Sequence, residues 1–219
     1  MDIPGLLGAS ELFEHFQPEA LEAIAAESRL VAFDRNVRIF GEGDAAAELY
    51  VVRSGRVAIA NRSADGRESV MALMEAGDLF GDMSLFDGEG RSADARALEP
   101  SEVVLVPYPP VRRLFDTRPD LLWEVVGFLS RRLRATDSAL ADAVFLDVTG
   151  RTAKRLLELA GDQEQFVLPV TQEELAAMVG ASRERVNKAL SAFVRLGWIS
   201  QSDRRYRITD RVQLERRSR

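Results

Sequence analysis

The strongest structural signal in this chain lies in residues 171–193, which read TQEELAAMVGASRERVNKALSAF. Thr171 and Glu174 have the spacing of a capping box, in which a hydroxyl and a carboxylate three residues apart satisfy the first amide groups of a helix. Apolar residues then recur at helical spacing up to Gly180, and Ser182 is placed to cap a second helix. Two helices joined by a glycine turn at this spacing predict a helix-turn-helix.

The second predicted helix carries charged and polar side chains near its start. In the major groove, arginine and lysine donate hydrogen bonds to guanine, and glutamate accepts one from cytosine. Residues 197–199 and 204–208 predict a β-hairpin whose arginines face phosphates. The alternative interpretation, a plain helical hairpin with solvated charges, would have no such β-hairpin. The residues expected to contact DNA are Thr171, Gln172, Ser182, Arg183, Glu184, Arg185, Asn187, Lys188 and Arg204.

The charge of this 219-residue chain is unevenly distributed. The formal net charge is −6, yet residues 1–146 hold 15 basic and 25 acidic side chains, whereas residues 147–219 hold 14 and 10. The basic surface therefore belongs to the C-terminal part, as is typical of a DNA-binding domain joined to a separate acidic domain.

Several classes of protein are disfavoured by the composition. The chain has no cysteine, which excludes disulfides, thiolate zinc sites and cysteine-ligated iron–sulfur clusters. The single histidine, His15, gives little support to a haem or another metal site. We find no Ser–His–Asp set and no phosphate-binding P-loop, and therefore expect no enzyme. No apolar run reaches membrane-spanning length and the first residues do not resemble a signal peptide, so we expect a cytoplasmic protein without a membrane partner.

The N-terminal half changes from a helical to a β-rich pattern. Residues 9–28 have helical spacing that Pro18 divides into two short pieces. Short strand-forming runs then recur at 37–40, 49–52, 57–60, 70–73 and 103–106. Turn signals separate them at 41–44, 54–55, 64–66 and 76–78, and a non-strand stretch occupies 81–90. Many short strands at near-regular spacing predict an antiparallel sandwich or barrel.

A long helix is predicted from Pro119 onward. Steps of four and three residues connect a regular seam, which consists of Leu122, Val126, Leu129, Leu133, Thr136, Leu140 and Ala143. Such a narrow heptad seam favours pairing with a second helix, although packing against the β domain would also cover it. Residues 147–150 end this helix and predict a hinge at Gly150, with Thr149 as the cap of the next helix.

Three stretches resemble the cyclic-AMP receptor protein (CRP/FNR) family of bacterial regulators. They are LFGDMSLFDGEGRSA at 79–93, FLDVTGR at 145–151 and VGASRERVNKAL at 179–190, in family order and spacing. The resemblance covers essentially the whole chain and implies an α+β fold. It implies an N-terminal cyclic-nucleotide-binding β-roll (jelly-roll) at 1–110, a dimerisation helix at 111–146 and a winged helix-turn-helix at 147–219.

The first stretch resembles the family's phosphate-binding segment. A short helix opening at Gly81 would direct amide groups toward an anion, and Arg91 would add a forked positive charge. Asp82 stands where the family usually has a glutamate for the ribose, and Arg132 could pair with it. Thr136 matches a threonine that contacts adenine. The resemblance thus implies a nucleotide site formed by Gly81, Asp82, Met83, Ser84, Arg91, Ser92, Arg132, Thr136 and Asp137.

The function implied is a homodimeric transcription regulator on palindromic double-stranded DNA. Cyclic AMP is the expected allosteric effector, RNA polymerase a further partner, and no metal, haem or iron–sulfur cluster is expected. Asp82 is one methylene shorter than glutamate, and Asp137 adds negative charge beside the base. Cyclic GMP, cyclic di-GMP and ligand-independent regulation therefore stay open, as does a nucleotide-sensing module that acts through protein partners.

Overall fold

The computed structural model of the chain describes residues 2–62 and 68–219. Two units are distinguished within it, one of residues 2–62 with 71–133 and one of residues 68–70 with 134–219. The predicted turn at 64–66 lies outside the described residues. Within the described ranges, no helix combines the length and the apolar character that are needed to cross a membrane.

The β-rich part consists of antiparallel strands. They are β1 (Arg29–Phe33), β2 (Arg38–Phe40), β3 (Glu48–Ser54), β4 (Val57–Arg62), β5 (Glu68–Met74), β6 (Leu79–Phe80), β7 (Asp94–Ala97) and β8 (Ser101–Pro107). One sheet has the order β1–β8–β3–β6 and the other the order β2–β7–β4–β5. Every predicted strand overlaps an observed one. The sequence did not predict β1, β6 or β7; β6 has two residues and β7 reads DARA, so pairing with neighbours defines both.

The core is organised by the two central strands, β3 and β8, which are buried on both faces. Leu49 and Val51 join a cluster that includes residues of the N-terminal helices, whereas Tyr50 and Val52 join the cluster between the sheets. Residues of β8 alternate between the same two clusters. Because side chains alternate across a strand, a continuous apolar run supplies both layers of the core.

The N-terminal segment forms α1 (Ile3–Gly8) and α2 (Pro18–Glu27). The second helical piece predicted from the sequence is confirmed, but the first, before Pro18, is wrong because residues 10–16 form turns. The Ser10 hydroxyl donates to the Leu7 carbonyl at 2.7 Å just after α1 ends. Phe13 and Phe16 then pack edge to face at 5.2 Å, so burial of the apolar residues occurs without a helix.

Two helices follow β8. They are α4 (Tyr108–Thr117) and α5 (Leu122–Phe145), with a 3₁₀ turn at Pro119–Leu121 between them; α3 lies earlier, at Met83–Asp87. The long helix predicted from Pro119 is thus confirmed. The described residues leave its seam open to solvent, since Leu133 is 62% exposed and Leu140 is 63% exposed.

The second unit contains the predicted helix-turn-helix. Its elements are α6 (Val148–Ala160), β9 (Gln165–Val167), α7 (Gln172–Val179), α8 (Arg183–Arg195), β10 (Ile199–Ser202), β11 (Arg205–Ile208) and α9 (Arg211–Arg217). The capping box is formed in both directions, with 3.2 Å from the Glu174 amide to the Thr171 hydroxyl and 2.7 Å from the Thr171 amide to the Glu174 carboxylate. Gly180 adopts a left-handed conformation with φ of 66°, as a turn after α7 requires. The hairpin β10–β11 is confirmed, and β9 extends it to three strands.

The start of α6 differs from the prediction. Asp147, not Thr149, caps this helix, because its carboxylate accepts a hydrogen bond from the Gly150 amide at 2.8 Å. Gly150 therefore lies inside the first turn of a helix and not in an irregular hinge. Arg217 in α9 also pairs with the Asp147 carboxylate. The hydrogen bond from the Gly150 amide lowers the pKa of Asp147, and the Arg217 guanidinium lowers it further by a smaller amount.

Candidate functional site

Residues 81–92 (the 81–92 segment) form a left-handed turn, the short helix α3 and a return loop. The helix begins at Met83, two residues later than predicted, with Asp82 at its N-cap. Gly81 has φ of 74°, and a Cβ there would lie 2.7 Å from Nη1 of Arg91 and 3.0 Å from the Tyr50 ring. Glycine is required at this position both by the backbone conformation and by the close approach of Arg91.

The Arg91 guanidinium is buried and donates only to neutral oxygens. Its Nη1 donates to the Gly81 carbonyl at 2.8 Å and to the Tyr108 hydroxyl at 3.1 Å. Its Nη2 donates to the Glu48 carbonyl at 2.7 Å and to the Tyr50 hydroxyl at 3.4 Å. The side chain is 4% exposed, so these contacts replace almost all of its hydration.

The positive charge of Arg91 has no carboxylate partner among the residues that the structure describes. Its guanidinium carbon lies 4.3 Å from the centre of the Phe40 ring, and its Nε is buried without a hydrogen-bond acceptor. A buried charge is costly unless it is paired, and ring faces and carbonyl dipoles compensate for it only in part. The environment of Arg91 therefore favours an approaching anion.

Both carboxylate oxygens of Asp82 accept hydrogen bonds from Arg132 of α5. Nη1 of Arg132 lies 2.6 Å from one carboxylate oxygen of Asp82 and 2.7 Å from the other. Asp82 is only 1% exposed, and Arg132 also lies 5.4 Å from the centre of the Phe128 ring. The pair that the sequence suggested is therefore formed, and it connects the 81–92 segment to α5.

The remaining predicted nucleotide-site residues divide into two groups. Ser84 is buried and donates to the Gly90 carbonyl at 3.3 Å, which closes the 81–92 segment on itself. Met83 and Ser92 are exposed, and the Ser92 hydroxyl lies 3.4 Å from the Met83 sulfur. These residues, with Gly81, Asp82 and Arg91, are brought together. Thr136 and Asp137 lie on the part of α5 in the second unit, where both are exposed.

Sequence reasoning did not single out the two tyrosines that contact Arg91. Burial, reinforced by the neighbouring Glu48 carboxylate, raises the pKa of Tyr50 to about 12. Burial also raises the pKa of Tyr108, against the opposing effect of Arg91. Tyr50 stands between Leu49 and Val51 in the apolar run of β3, and that pattern alone indicates a core residue. Only the fold shows that both hydroxyls converge on one guanidinium.

The start of α8 presents most of the predicted DNA-contacting residues to solvent. Arg183, Glu184, Arg185 and Lys188 are exposed, and the Ser182 hydroxyl caps the helix by accepting from the Arg185 amide. On the opposite side of α8, a set of residues is buried, consisting of Val186, Ala189, Leu190 and Phe193. The amphipathic pattern thus leaves one polar face available for a DNA groove.

The other predicted DNA contacts are half-buried or, in the case of Arg204, hydrogen-bonded to the chain itself. Asn187 is half-buried, and its Oδ1 is shielded from solvent without a hydrogen-bond partner. Thr171 and Gln172 begin α7, where Thr171 is occupied by capping. Arg204 lies in the turn between β10 and β11, and its Nη2 donates to the Leu168 carbonyl at 3.0 Å. Within residues 2–62 and 68–219, no cluster of acidic or histidine side chains is arranged to hold a metal ion.

Known proteins resemble this chain over both units. A cyclic nucleotide-binding domain profile matches residues 30–118, and a Crp-like helix-turn-helix profile matches residues 150–217. The CRP-like cAMP-activated global transcriptional regulator of Mycobacterium tuberculosis is 39% identical over 221 residues, which cover 98% of this chain and 99% of that protein. The chain belongs to the CRP/FNR family.

Solved structures agree with this assignment. The catabolite activator protein of Thermus thermophilus is 31% identical, with a TM-score of 0.55 and coverage of 95% of this chain and 98% of that chain. The c-di-GMP responsive global regulator CLP of Xanthomonas campestris is 28% identical, with a TM-score of 0.76 and coverage of 88% and 99%. This CRP/FNR chain is therefore a DNA-binding transcription regulator with a cyclic nucleotide-binding domain, and the α+β fold predicted from its sequence is confirmed.

We expect the three tyrosines of the chain to resist ionisation while it is folded. Burial raises the pKa of Tyr50 to about 12 and raises those of Tyr108 and Tyr206 above the ordinary value of 10.0. Since the folded state holds these protons more tightly, the stability that they contribute is full below pH 10.0 and is lost as the pH rises toward 12.

An ultraviolet titration of tyrosinate, run beside circular dichroism, tests this expectation. Tyrosinate should form only as the folded structure is lost. Ionisation of all three phenols at their ordinary pKa, with the circular dichroism unchanged, would contradict it.

Proposed function

We propose that this regulator is a homodimer whose affinity for a palindromic DNA site is controlled by cyclic AMP. The observation that carries the proposal is the buried Arg91 guanidinium, which has no carboxylate partner among the described residues. A cyclic phosphate is an anion with two free oxygens, and the arginine fork is suited to bind both. An anion at this position would supply the missing negative charge.

The other residues of the 81–92 segment are suited to the rest of a cyclic nucleotide. Ser92 adds an exposed hydroxyl next to Arg91, and Gly81 leaves room for close approach of the backbone. Asp82 would accept a hydrogen bond from the ribose 2′-hydroxyl, since Arg132 holds its carboxylate in a fixed orientation. Met83 and Ser84 would contribute the first amide groups of α3.

Cyclic AMP is favoured among the effectors by two observations. The M. tuberculosis relative, named as cAMP-activated, is 39% identical to this chain, whereas the c-di-GMP responsive regulator is 28% identical. In addition, Thr136 supplies a hydroxyl to the α5 seam at the position where the family contacts adenine. Asp137 follows it, and its carboxylate would accept from the adenine amino group.

The exposed seam of α5 supports the homodimer. Leu129, Leu133 and Leu140 are exposed large apolar side chains that follow a heptad pattern along one helix face. Such a stripe is stabilised when a second α5 covers it, since apolar surface is then removed from water. The polar Thr136 would interrupt an otherwise apolar interface.

Regulation then follows from a population shift. Cyclic AMP would bind one arrangement of the paired α5 helices better than another, and this arrangement would place the two α8 helices about one DNA turn (~34 Å) apart. Arg183, Glu184 and Lys188 would contact base edges, while Arg204 and Gln172 would contact the backbone. RNA polymerase would be the next partner, and the cytoplasm the place of action.

We expect calorimetry to detect binding of cyclic AMP to the native protein and at least ~30-fold weaker binding to Arg91→Met, because one partner of a buried charge pair is removed. Arg91→Lys keeps the charge but loses the fork, so its affinity should lie between the two. Arg53→Met, which changes an exposed arginine of β3, serves as the control.

Parallel titrations with cyclic GMP and cyclic di-GMP assign the effector, each repeated in a DNA-binding assay. Tighter binding of either one would replace cyclic AMP. Unchanged affinity in Arg91→Met, with the native fold shown by circular dichroism, would remove Arg91 from the site.

We expect Leu133→Glu to convert the dimer to a monomer, because it places a charge in the apolar seam. Sedimentation velocity over a range of concentrations measures the change. Ser138→Glu, at an exposed position on the opposite side of α5, should remain dimeric. A native protein that sediments as a monomer would overturn the homodimer.

We expect Arg183→Ala to lose sequence discrimination by about tenfold or more, because a bidentate contact to a guanine contributes ~1–3 kcal/mol. Gel shifts with the preferred site and a scrambled site provide the ratio at fixed salt concentration. Arg195→Ala, an exposed arginine at the other end of α8, is the matched control. An unchanged ratio in Arg183→Ala would remove this residue from base recognition.

A further inference from the structure

One face of α4 holds the 81–92 segment at three points. Tyr108, Arg112 and Phe115 are spaced by four and three residues, so they lie on the same side of the helix. The Tyr108 hydroxyl donates to the Gly81 carbonyl at 2.7 Å, and Nη2 of Arg112 donates to the Leu85 carbonyl at 3.0 Å. The Phe115 ring lies 6.2 Å from the Phe86 ring between ring centres.

These contacts stabilise the short helix α3 and provide a hydrogen-bond donor to one of its last carbonyl groups. It has five residues, and a helix of that length is not stable by itself. The Leu85 carbonyl belongs to its last turn, where carbonyl groups have no partner within the helix. Arg112 provides a charged donor to this carbonyl, and its guanidinium lies 5.8 Å from the centre of the Tyr108 ring. Arg112 therefore fixes the far end of α3.

Tyr108 fixes the near end and connects it to the buried arginine. The Gly81 carbonyl accepts from both the Tyr108 hydroxyl and Nη1 of Arg91, while the same Nη1 donates to the Tyr108 hydroxyl. Three groups thus form a closed triangle of hydrogen bonds. Any displacement of Arg91 toward an anion would change the contacts of Tyr108, and through it α4.

The helix that follows α4 contacts the same segment. After the 3₁₀ turn at Pro119–Leu121, α5 contributes Arg132 to the Asp82 carboxylate. Two successive helices therefore hold α3, with Tyr108 and Arg132 at its start and Arg112 in its last turn. The position of the 81–92 segment depends on α4 as much as on α5.

We propose that Arg112 is a positioning residue for the effector: it sets the anion-binding geometry of the 81–92 segment without touching the ligand. The proposal rests on the function proposed above. The Arg112 guanidinium donates to a backbone carbonyl of α3 and not to the residues predicted to contact the phosphate. Loss of this contact weakens effector binding because α3 and Arg91 no longer share one fixed arrangement before the ligand arrives.

Calorimetric titration of the full chain with cyclic AMP tests the proposal. Arg112→Met should raise the Kd about tenfold, as expected when one charged hydrogen bond that positions a site is lost. Arg113→Met is the matched control, since the adjacent arginine on α4 pairs with Glu27 and not with the 81–92 segment. Arg112→Lys retains a donor and should restore most of the affinity. Tyr108→Phe, which removes only the hydroxyl, should weaken binding as well.

The thermal midpoint of each ligand-free variant separates positioning from general destabilisation. We expect Arg112→Met and Arg113→Met to lower it by similar amounts, while only Arg112→Met loses affinity. Native affinity in Arg112→Met, or a loss that Arg112→Lys fails to restore, would overturn the proposal. Absence of cyclic AMP binding by the native chain would instead count against the proposed effector.

Discussion

The buried guanidinium of Arg91 is the constraint on which the nucleotide-binding unit depends. Its nitrogens donate to two backbone carbonyls and two tyrosine hydroxyls, so strands, a loop and a helix must meet around one charge. The packing against Phe40 prevents water from replacing these contacts. Such a site is stable only because every neighbour presents an oxygen or a ring face to it. The same arrangement leaves the positive charge without a carboxylate partner among the described residues.

The two halves of the protein use arginine in opposite ways. In the first unit Arg91 is enclosed, and its few neutral partners leave its charge poorly compensated. In the second unit Arg183 and Arg185 are exposed and hydrated at the start of α8. Hydrated arginines on a free helix face suit a polyanion that displaces water and counterions, whereas an enclosed arginine suits one small anion. One residue type therefore occupies two environments, each suited to a different kind of ligand.

Local sequence patterns predicted the elements whose formation depends on near neighbours. The capping box at Thr171, the turn at Gly180 and the heptad steps of α5 are properties of short segments, and all three are observed. The strand β7 was missed because its residues are poor strand formers and only pairing with β2 and β4 makes it a strand. Burial of aromatic residues likewise replaced the helix expected before Pro18.

In the candidate site, too, some residues could be predicted from the sequence, whereas residues that act through long-range contacts could not. Arg91, Asp82 and Arg132 could be named from the resemblance, and the Asp82–Arg132 pair is present. Tyr108 and Arg112 could not, because their contacts join residues 27 positions apart along the chain. Spacing along a sequence shows which side chains share a helix face. It does not show which distant loop that face will meet.

The ion pair between Arg217 and Asp147 has a consequence for how the chain is made. Arg217 follows Asp147 by 70 positions, yet it contacts the cap of α6, and its carbonyl lies 3.0 Å from where a Cβ of Gly150 would stand. During synthesis α6 therefore emerges from the ribosome long before its cap is complete. The second unit therefore acquires its final packing only after α9 has been synthesised, so the start of α6 gains its last contacts from the last helix of the unit.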